Sequence, residues 1–100
     1  MELITSKLKG INKLCRKHKV KNLFAFGSVV RDDFKADSDV DLLVDFNEND
    51  PVQYTDLYFE FKERLEDLLK RKIDLLEERA VKNPFLRQEL DQTKVKIYGY

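Results

Sequence analysis

Two aspartates inside an apolar run are the residues of this chain best suited to chemistry. Asp39 and Asp41 are separated by one residue, and the apolar residues 42–44 follow them. Side chains alternate along a strand, so both carboxylates would point to one face with Cα atoms roughly 6.6 Å apart. Burying such a pair without a partner is costly. Hard oxygen ligands at this spacing suit Mg²⁺, so the pair predicts a divalent metal site.

A phosphate site is predicted where the preceding apolar segment ends. Residues 20–26 are predicted to form a strand whose apolar run at 23–26 is typical of burial on both faces, and Gly27 and Ser28 follow it directly. At a strand-to-helix turn, free backbone N–H groups and the helix dipole favour an anion. Ser28 is interpreted both as an ordinary helix N-cap and as a phosphate ligand, because a cap and an anion site use the same donors.

Two more charged residues are candidates for the same site. Arg31 follows the turn closely, where its guanidinium could neutralise phosphate; the alternative is a surface ion pair with Asp32 or Asp33. Asp74 interrupts a short apolar strand predicted at 73–76, a setting that disfavours aspartate. It is interpreted as a third carboxylate of the site, and the alternative is a pairing with a lysine or arginine. A phosphate cradle beside carboxylates indicates nucleotide chemistry.

This combination of residues resembles the motif of minimal nucleotidyltransferases, in the DNA polymerase beta superfamily. The residues that carry the resemblance are Gly27, Ser28, Arg31, Ser38, Asp39 and Asp41. The similarity extends over nearly the whole chain, including the strand around Asp74 and a helix start at Asn83-Pro84. Many members carry glycine after the arginine, whereas here Asp32 adds a negative charge near the predicted phosphate site.

The resemblance implies a mechanism and a role for each site residue. Asp39, Asp41 and Asp74 would be catalytic and would hold two Mg²⁺ ions, with Asp74 as general base or as ligand of the second ion. The nucleotide phosphates would be bound by Gly27, Ser28, Arg31 and Ser38. The resemblance also implies ATP as substrate and AMP as the transferred group, although nothing in these residues selects adenine.

The resemblance implies a protein acceptor as well. Minimal nucleotidyltransferases are commonly antitoxin partners of HEPN-type ribonuclease toxins and adenylylate a toxin tyrosine, which predicts a hetero-oligomer. One alternative is a catalytically weak binding module that neutralises its partner by complex formation. A second is a nucleotidyltransferase acting on a small molecule or RNA, which the length of 100 residues disfavours because it leaves no acceptor-binding domain.

The elements that position these residues alternate along the chain. Hydrophobic periodicity, caps and turn residues predict helices at 2–18, 28–33, 51–71 and 84–91, and strands at 20–26, 38–46 and 73–76. Residues 94–98 are interpreted as an edge strand or a tail. The order α-β-α-β-α-β-α predicts an α/β (α+β) fold, as one domain over residues 1–100. Alternation alone suggests a parallel sheet, whereas the resemblance implies a small mixed sheet packed with helices.

Composition excludes several other classes. One cysteine and one histidine exclude an internal disulfide and disfavour a structural zinc site. No run approaches the roughly 18 apolar residues of a membrane span, and the start lacks signal-peptide features, so a cytoplasmic protein without membrane contact is expected. The Walker pattern of P-loop enzymes does not occur.

The charge of this chain is balanced, with 19 basic and 19 acidic residues, but it is unevenly distributed. Residues 1–22 contain seven basic residues and Glu2 as the single acidic one. A basic segment can bind nucleic acid. A solvated helix face is the preferred interpretation here, because no aromatic residues are interleaved to stack bases.

Overall fold

The chain forms one four-stranded sheet with helices packed against it. A computed structural model describes residues 1–31 and 34–99. The helices are α1 (Glu2–Ser6), α2 (Leu8–Lys17), α3 (Pro51–Leu69) and α4 (Pro84–Thr93). The strands are β1 (Val20–Phe26), β2 (Val40–Phe46), β3 (Ile73–Glu77) and β4 (Val95–Tyr98). Short 3₁₀ turns follow β1 at Gly27–Val30 and β3 at Glu78–Ala80.

The sheet is mixed, with the strand order β3-β2-β1-β4. Strand β1 is antiparallel to both β2 and β4, whereas β2 and β3 are parallel and are joined through α3. Parallel neighbours need a crossover connection of this kind, whereas antiparallel neighbours do not. The predicted fold class and mixed sheet are confirmed, and the segment at 94–98 is an edge strand.

The main core lies on one face of the sheet, under α2 and α3. Leu23 and Ala25 of β1 point to this face, where they are buried with Phe61 and Leu65 of α3. Cys15 of α2 is also buried there, and burial raises the pKa of its thiol to about 12. The thiol is therefore protonated at neutral pH and serves as a small apolar side chain.

Helices α3 and α4 both begin with a side-chain N-cap followed by proline. The Asp50 side chain accepts a hydrogen bond from the Val52 N–H at 3.3 Å, and proline follows at the first helical position. Asn83 likewise caps α4, accepting from the Phe85 and Leu86 N–H groups at 2.9 and 3.2 Å. Proline fits the first helical position because its missing N–H would have no partner there.

The ends of several elements differ from the predictions. The helix predicted at 2–18 is broken at Lys7, which leaves helical geometry and donates its N–H to the Ile4 carbonyl at 3.1 Å. His18 is the C-cap residue of α2 and is buried. Its Nδ1 lies 2.8 Å from the Leu14 carbonyl oxygen. In the described part of the chain, no helix is long and apolar enough to cross a membrane.

Candidate active site

The three predicted carboxylates meet at one end of the sheet. Asp41 lies on β2, in register with Phe26 at the end of β1 and with Asp74 on β3. Neighbouring strands are about 4.8 Å apart, so Asp41 and Asp74 are cross-strand neighbours. Asp39 lies just before β2, because that strand begins at Val40 and not at residue 38 as predicted. Asp39 and Asp74 are exposed, whereas Asp41 is half-buried.

The pKa of the Asp41 carboxyl shows that it interacts electrostatically with neighbouring charged groups. Burial raises the pKa of the Asp41 carboxyl, and the negative charges of Asp74 and Asp39 raise it further. The Arg31 guanidinium acts in the opposite direction and lowers this pKa. Within residues 1–31 and 34–99, no three His, Cys, Asp or Glu side chains converge tightly enough to form a ready metal cluster. Asp39, Asp41 and Asp74 form a row of carboxylates. Because their like charges repel one another, a bound cation would stabilise this row.

Gly27 brings the turn after β1 against this row. Its φ of +71° lies in the left-handed region that favours glycine. A Cβ at this position would overlap Asp41 Oδ2 and would lie 3.2 Å from Asp41 Cγ. Glycine is thus required twice, by the backbone conformation and by the close approach of the Asp41 carboxylate.

The turn after Gly27 is shorter than predicted. A helix was expected over 28–33, but a 3₁₀ turn covers Gly27–Val30, and Arg31 is already extended with ψ of 172°. Phe26 occupies the N-cap position and no side chain caps the turn. The interpretation of Ser28 as an N-cap is therefore wrong. Asp32 and Asp33, including their alternative pairing with Arg31, lie outside the described residues.

This correction changes the result expected for Ser28→Ala. Because the hydroxyl caps nothing, we expect the free energy of unfolding to change by less than about 0.5 kcal/mol. ATP affinity should still fall by roughly tenfold if the hydroxyl donates to a phosphate. Urea unfolding and calorimetric titration measure the two quantities separately. A stability loss with unchanged ATP affinity would remove Ser28 from the site.

Ser38 lies in the turn before β2, and its role in phosphate binding stays a prediction. Its hydroxyl accepts a hydrogen bond from the Lys35 N–H at 3.1 Å, and its carbonyl accepts one from Arg71 Nη2. Arg71 also donates to the Lys35 carbonyl at 2.8 Å and lies 4.5 Å from the ring centre of Phe34. These bonds hold residues 35–38 as a turn, which fixes the start of β2 and so the place of Asp39.

The sequence alone did not predict this role of Arg71. A basic residue between a long helix and a strand is common. The Ser38 carbonyl that Arg71 contacts is 33 residues away, and no pattern near Arg71 in the sequence indicates this partner. Asp45 also lies on β2 but takes part in a different interaction. It accepts a hydrogen bond from Arg79 at 2.9 Å, away from the carboxylate row.

A pocket of about 460 Å³ opens beside the turn. Its lining includes Gly27 and Arg31 together with the apolar residues Val30, Leu86 and Leu90. Two of these apolar residues belong to α4, which sequence reasoning had treated only as a helix. The pocket therefore places apolar surface directly beside the predicted phosphate donors, an arrangement typical of a nucleotide site.

Comparison with known proteins now defines the class. A family model described as nucleotidyltransferase domain matches residues 8–97. A Methanocaldococcus jannaschii relative, provisionally named protein adenylyltransferase, is 32% identical over 81 residues, covering 81% of this chain and 80% of the relative. The chain belongs to the nucleotidyltransferase family, so its enzyme class is nucleotidyltransferase, as the motif implied.

Solved structures agree with this assignment. A provisionally named minimal nucleotidyltransferase superposes with a TM-score of 0.76 at 32% identity, covering 95% of both chains. A complex of a tri-AMPylated Shewanella oneidensis HEPN toxin with an MNT antitoxin superposes with a TM-score of 0.66 at 21% identity. That match covers 96% of this chain and 73% of the other and shows a shared fold. The expected similarity to minimal nucleotidyltransferases is confirmed.

Proposed function

We propose that this protein transfers AMP from ATP to a hydroxyl on a partner protein, as the antitoxin of a HEPN-type toxin whose tyrosine it adenylylates. The observation that carries the proposal is the carboxylate row of Asp39, Asp41 and Asp74 beside the Gly27 turn. One nucleotidyltransferase domain over residues 1–100 would perform this activity in the cytoplasm, where ATP is available.

The site fits Mg²⁺ by the chemistry of its donors. Asp39, Asp41 and Asp74 supply only hard oxygen atoms. Burial raises the pKa of the Asp41 carboxyl, and the neighbouring negative charges of Asp74 and Asp39 raise it further. These three residues would hold the two Mg²⁺ ions that the family resemblance implies. When bound, the metal would offset the charge of the triphosphate and favour ionisation of the acceptor hydroxyl.

The residues of the chain account for the remaining steps. Backbone N–H groups at Gly27 and Ser28 and the Arg31 guanidinium would bind the phosphates. The acceptor oxygen attacks the α-phosphorus, the bond to the β-phosphate breaks, and pyrophosphate leaves with the electron pair. Asp74 is exposed beside this point and would accept the hydroxyl proton.

Two kinds of relative support the proposed substrate and partner. The archaeal relative above carries the name protein adenylyltransferase, and the Shewanella complex pairs an antitoxin of this fold with an AMPylated HEPN toxin. The exposed carboxylates support an acceptor that another molecule brings, because docking of a partner can orient its hydroxyl.

Co-expression with the cognate HEPN toxin tests the proposal. We expect a stable complex in which the toxin gains one or more AMP units, located on a tyrosine by peptide mass spectrometry. An unmodified toxin that is neutralised by complex formation would favour the binding-module alternative. Label from ATP on RNA or on a small molecule would favour the other alternative, and either result contradicts the proposal.

A further inference from the structure

A second pocket lies across the carboxylate row from the pocket beside Gly27. It has a volume of about 620 Å³, and Asp74 lines it. Because β2 lies between β1 and β3, Asp41 stands between the Gly27 turn and this second pocket. Leu86 lines both pockets, so the first turn of α4 separates them.

We propose that this pocket binds the aromatic ring of the acceptor tyrosine and directs its hydroxyl to Asp74. The inference rests on the proposed function and names the residues that select the acceptor. We name this pocket the acceptor pocket. Its walls combine the apolar parts of Tyr58, Leu76, Val81 and Leu86 with the polar residues Glu77, Lys82 and Asn83.

The lining matches the chemistry of a phenol. A tyrosine ring needs apolar walls over its body and a polar partner at its hydroxyl end, which Leu76, Val81 and Asp74 provide. A serine or threonine hydroxyl carries no ring, so it would leave these walls in contact with water and lose the energy of apolar burial. The pocket would therefore favour tyrosine over aliphatic hydroxyls as the acceptor.

The outer wall of the acceptor pocket is fixed by two arginines. Arg79 donates to Asp45 Oδ1 and to the Phe46 carbonyl, both at 2.9 Å, which ties the turn after β3 to β2. Arg87 of α4 donates to the Glu78 carbonyl at 2.7 Å. A preformed wall reduces the ordering that a ligand would otherwise have to impose.

The rim of the pocket suits a polypeptide. Phe85 is 81% exposed and Leu86 is 40% exposed, and both lie in the first turn of α4. Large apolar side chains exposed together often mark a protein contact. Residues flanking the acceptor tyrosine could cover them, so the same partner segment would fill the pocket and bury its rim.

Direct binding tests the acceptor pocket without relying on catalysis. The isotope-labelled protein is titrated with N-acetyl-tyrosinamide and, in parallel, with N-acetyl-serinamide, while backbone amide shifts are followed by NMR. We expect the tyrosine compound to shift Leu76, Val81 and Leu86, and the serine compound to leave them unchanged. Absence of shifts at these residues, or equal shifts with both compounds, would overturn the proposal.

A substitution that fills the acceptor pocket, paired with a control substitution elsewhere on the surface, tests the same inference. Ala80 lines the pocket and is exposed, so Ala80→Trp should block it, whereas Gln92→Trp places the same side chain on the exposed surface of α4 away from it. Ala80→Trp should abolish the tyrosine-dependent shifts and reduce AMP transfer to the toxin on the order of 10²-fold. Its ATP affinity should stay within about twofold of wild type, as should both properties of Gln92→Trp.

Each outcome separates this inference from the proposed function. If Ala80→Trp loses ATP affinity as much as transfer, the pocket belongs to the nucleotide and the inference is wrong. Unchanged transfer in Ala80→Trp would also contradict it. If the wild-type protein modifies no acceptor, the proposed function fails, and the NMR titration still decides whether the pocket binds a tyrosine side chain.

Discussion

Asp41→Asn is expected to reduce AMP transfer by a factor of roughly 10³ or more, because one of the three carboxylates that would hold the metal is neutralised. The fold should persist. Asp41 is half-buried and faces the negative charges of Asp74 and Asp39, which raise its pKa. Intact mass spectrometry of the toxin after incubation with ATP and Mg²⁺ measures the transfer.

The same substitution should slightly stabilise the protein in metal-free buffer. A carboxyl whose pKa is raised in the folded state carries its charge at a cost, and this cost applies above that pKa. Like charges on neighbouring strands destabilise a sheet by about 0.2–1 kcal/mol, so Asp41→Asn should raise the free energy of unfolding by a similar amount at neutral pH. Excess Mg²⁺ should stabilise the wild type and have little effect on the variant.

Asp45→Asn is the matched control, because it removes a carboxylate from the same face of β2. Asp45 pairs with Arg79 at 2.9 Å and lies outside the carboxylate row. Transfer should be unchanged, and the free energy of unfolding should fall by at most about 1 kcal/mol. Wild-type transfer in Asp41→Asn, or an equal loss in both variants, would contradict the assignment of Asp41.

Gly27→Ala should abolish measurable ATP binding at concentrations that saturate the wild type. The new Cβ would push against Asp41 Oδ2, and the φ of +71° is strained for any residue other than glycine. Since the turn would bind phosphate through backbone N–H groups, displacing either the turn or the Asp41 carboxylate removes part of the site. Titration calorimetry with ATP and Mg²⁺ measures the loss.

A second strained glycine separates the effect on binding from the effect on stability. Gly99 has a φ of +112°, and a Cβ there would lie 2.5 Å from the Lys21 carbonyl oxygen, far from the carboxylates. Gly99→Ala and Gly27→Ala should each cost about 1–3 kcal/mol of stability. Only Gly27→Ala should lose ATP binding. Equal losses of affinity in the two folded variants would show that Gly27 acts only through stability.

Local patterns predicted the parts of this molecule that depend on neighbouring residues. The caps at Asp50 and Asn83 and the buried stripe of α3 follow from chemistry within one or two turns. The spacing of Asp39 and Asp41 likewise placed two carboxylates together. What could be inferred from the sequence about the site was therefore its list of charged residues and their strands.

The parts that sequence could not provide depend on distant contacts. Pairing of β1 with β4 joins residues about 70 positions apart in the chain, and nothing near residue 96 signals that partner. The link from Arg71 to the turn before Asp39, and the apolar walls that α4 adds to both pockets, are of the same kind. Ser28 failed as a cap because the turn begins one residue earlier than expected, at Gly27, with Phe26 at the N-cap position.

The two outer strands of the sheet also bear on aggregation. An unpaired edge can recruit another chain through its free backbone groups, and short strands and lysines are common protections. At the β3 edge, the Tyr58 hydroxyl donates a hydrogen bond to the Leu75 carbonyl at 2.7 Å, so this carbonyl already has a partner. At the other edge, β4 is four residues long and carries Lys96. These features disfavour strand addition at both edges, which favours side-chain docking over sheet extension as the way a partner binds.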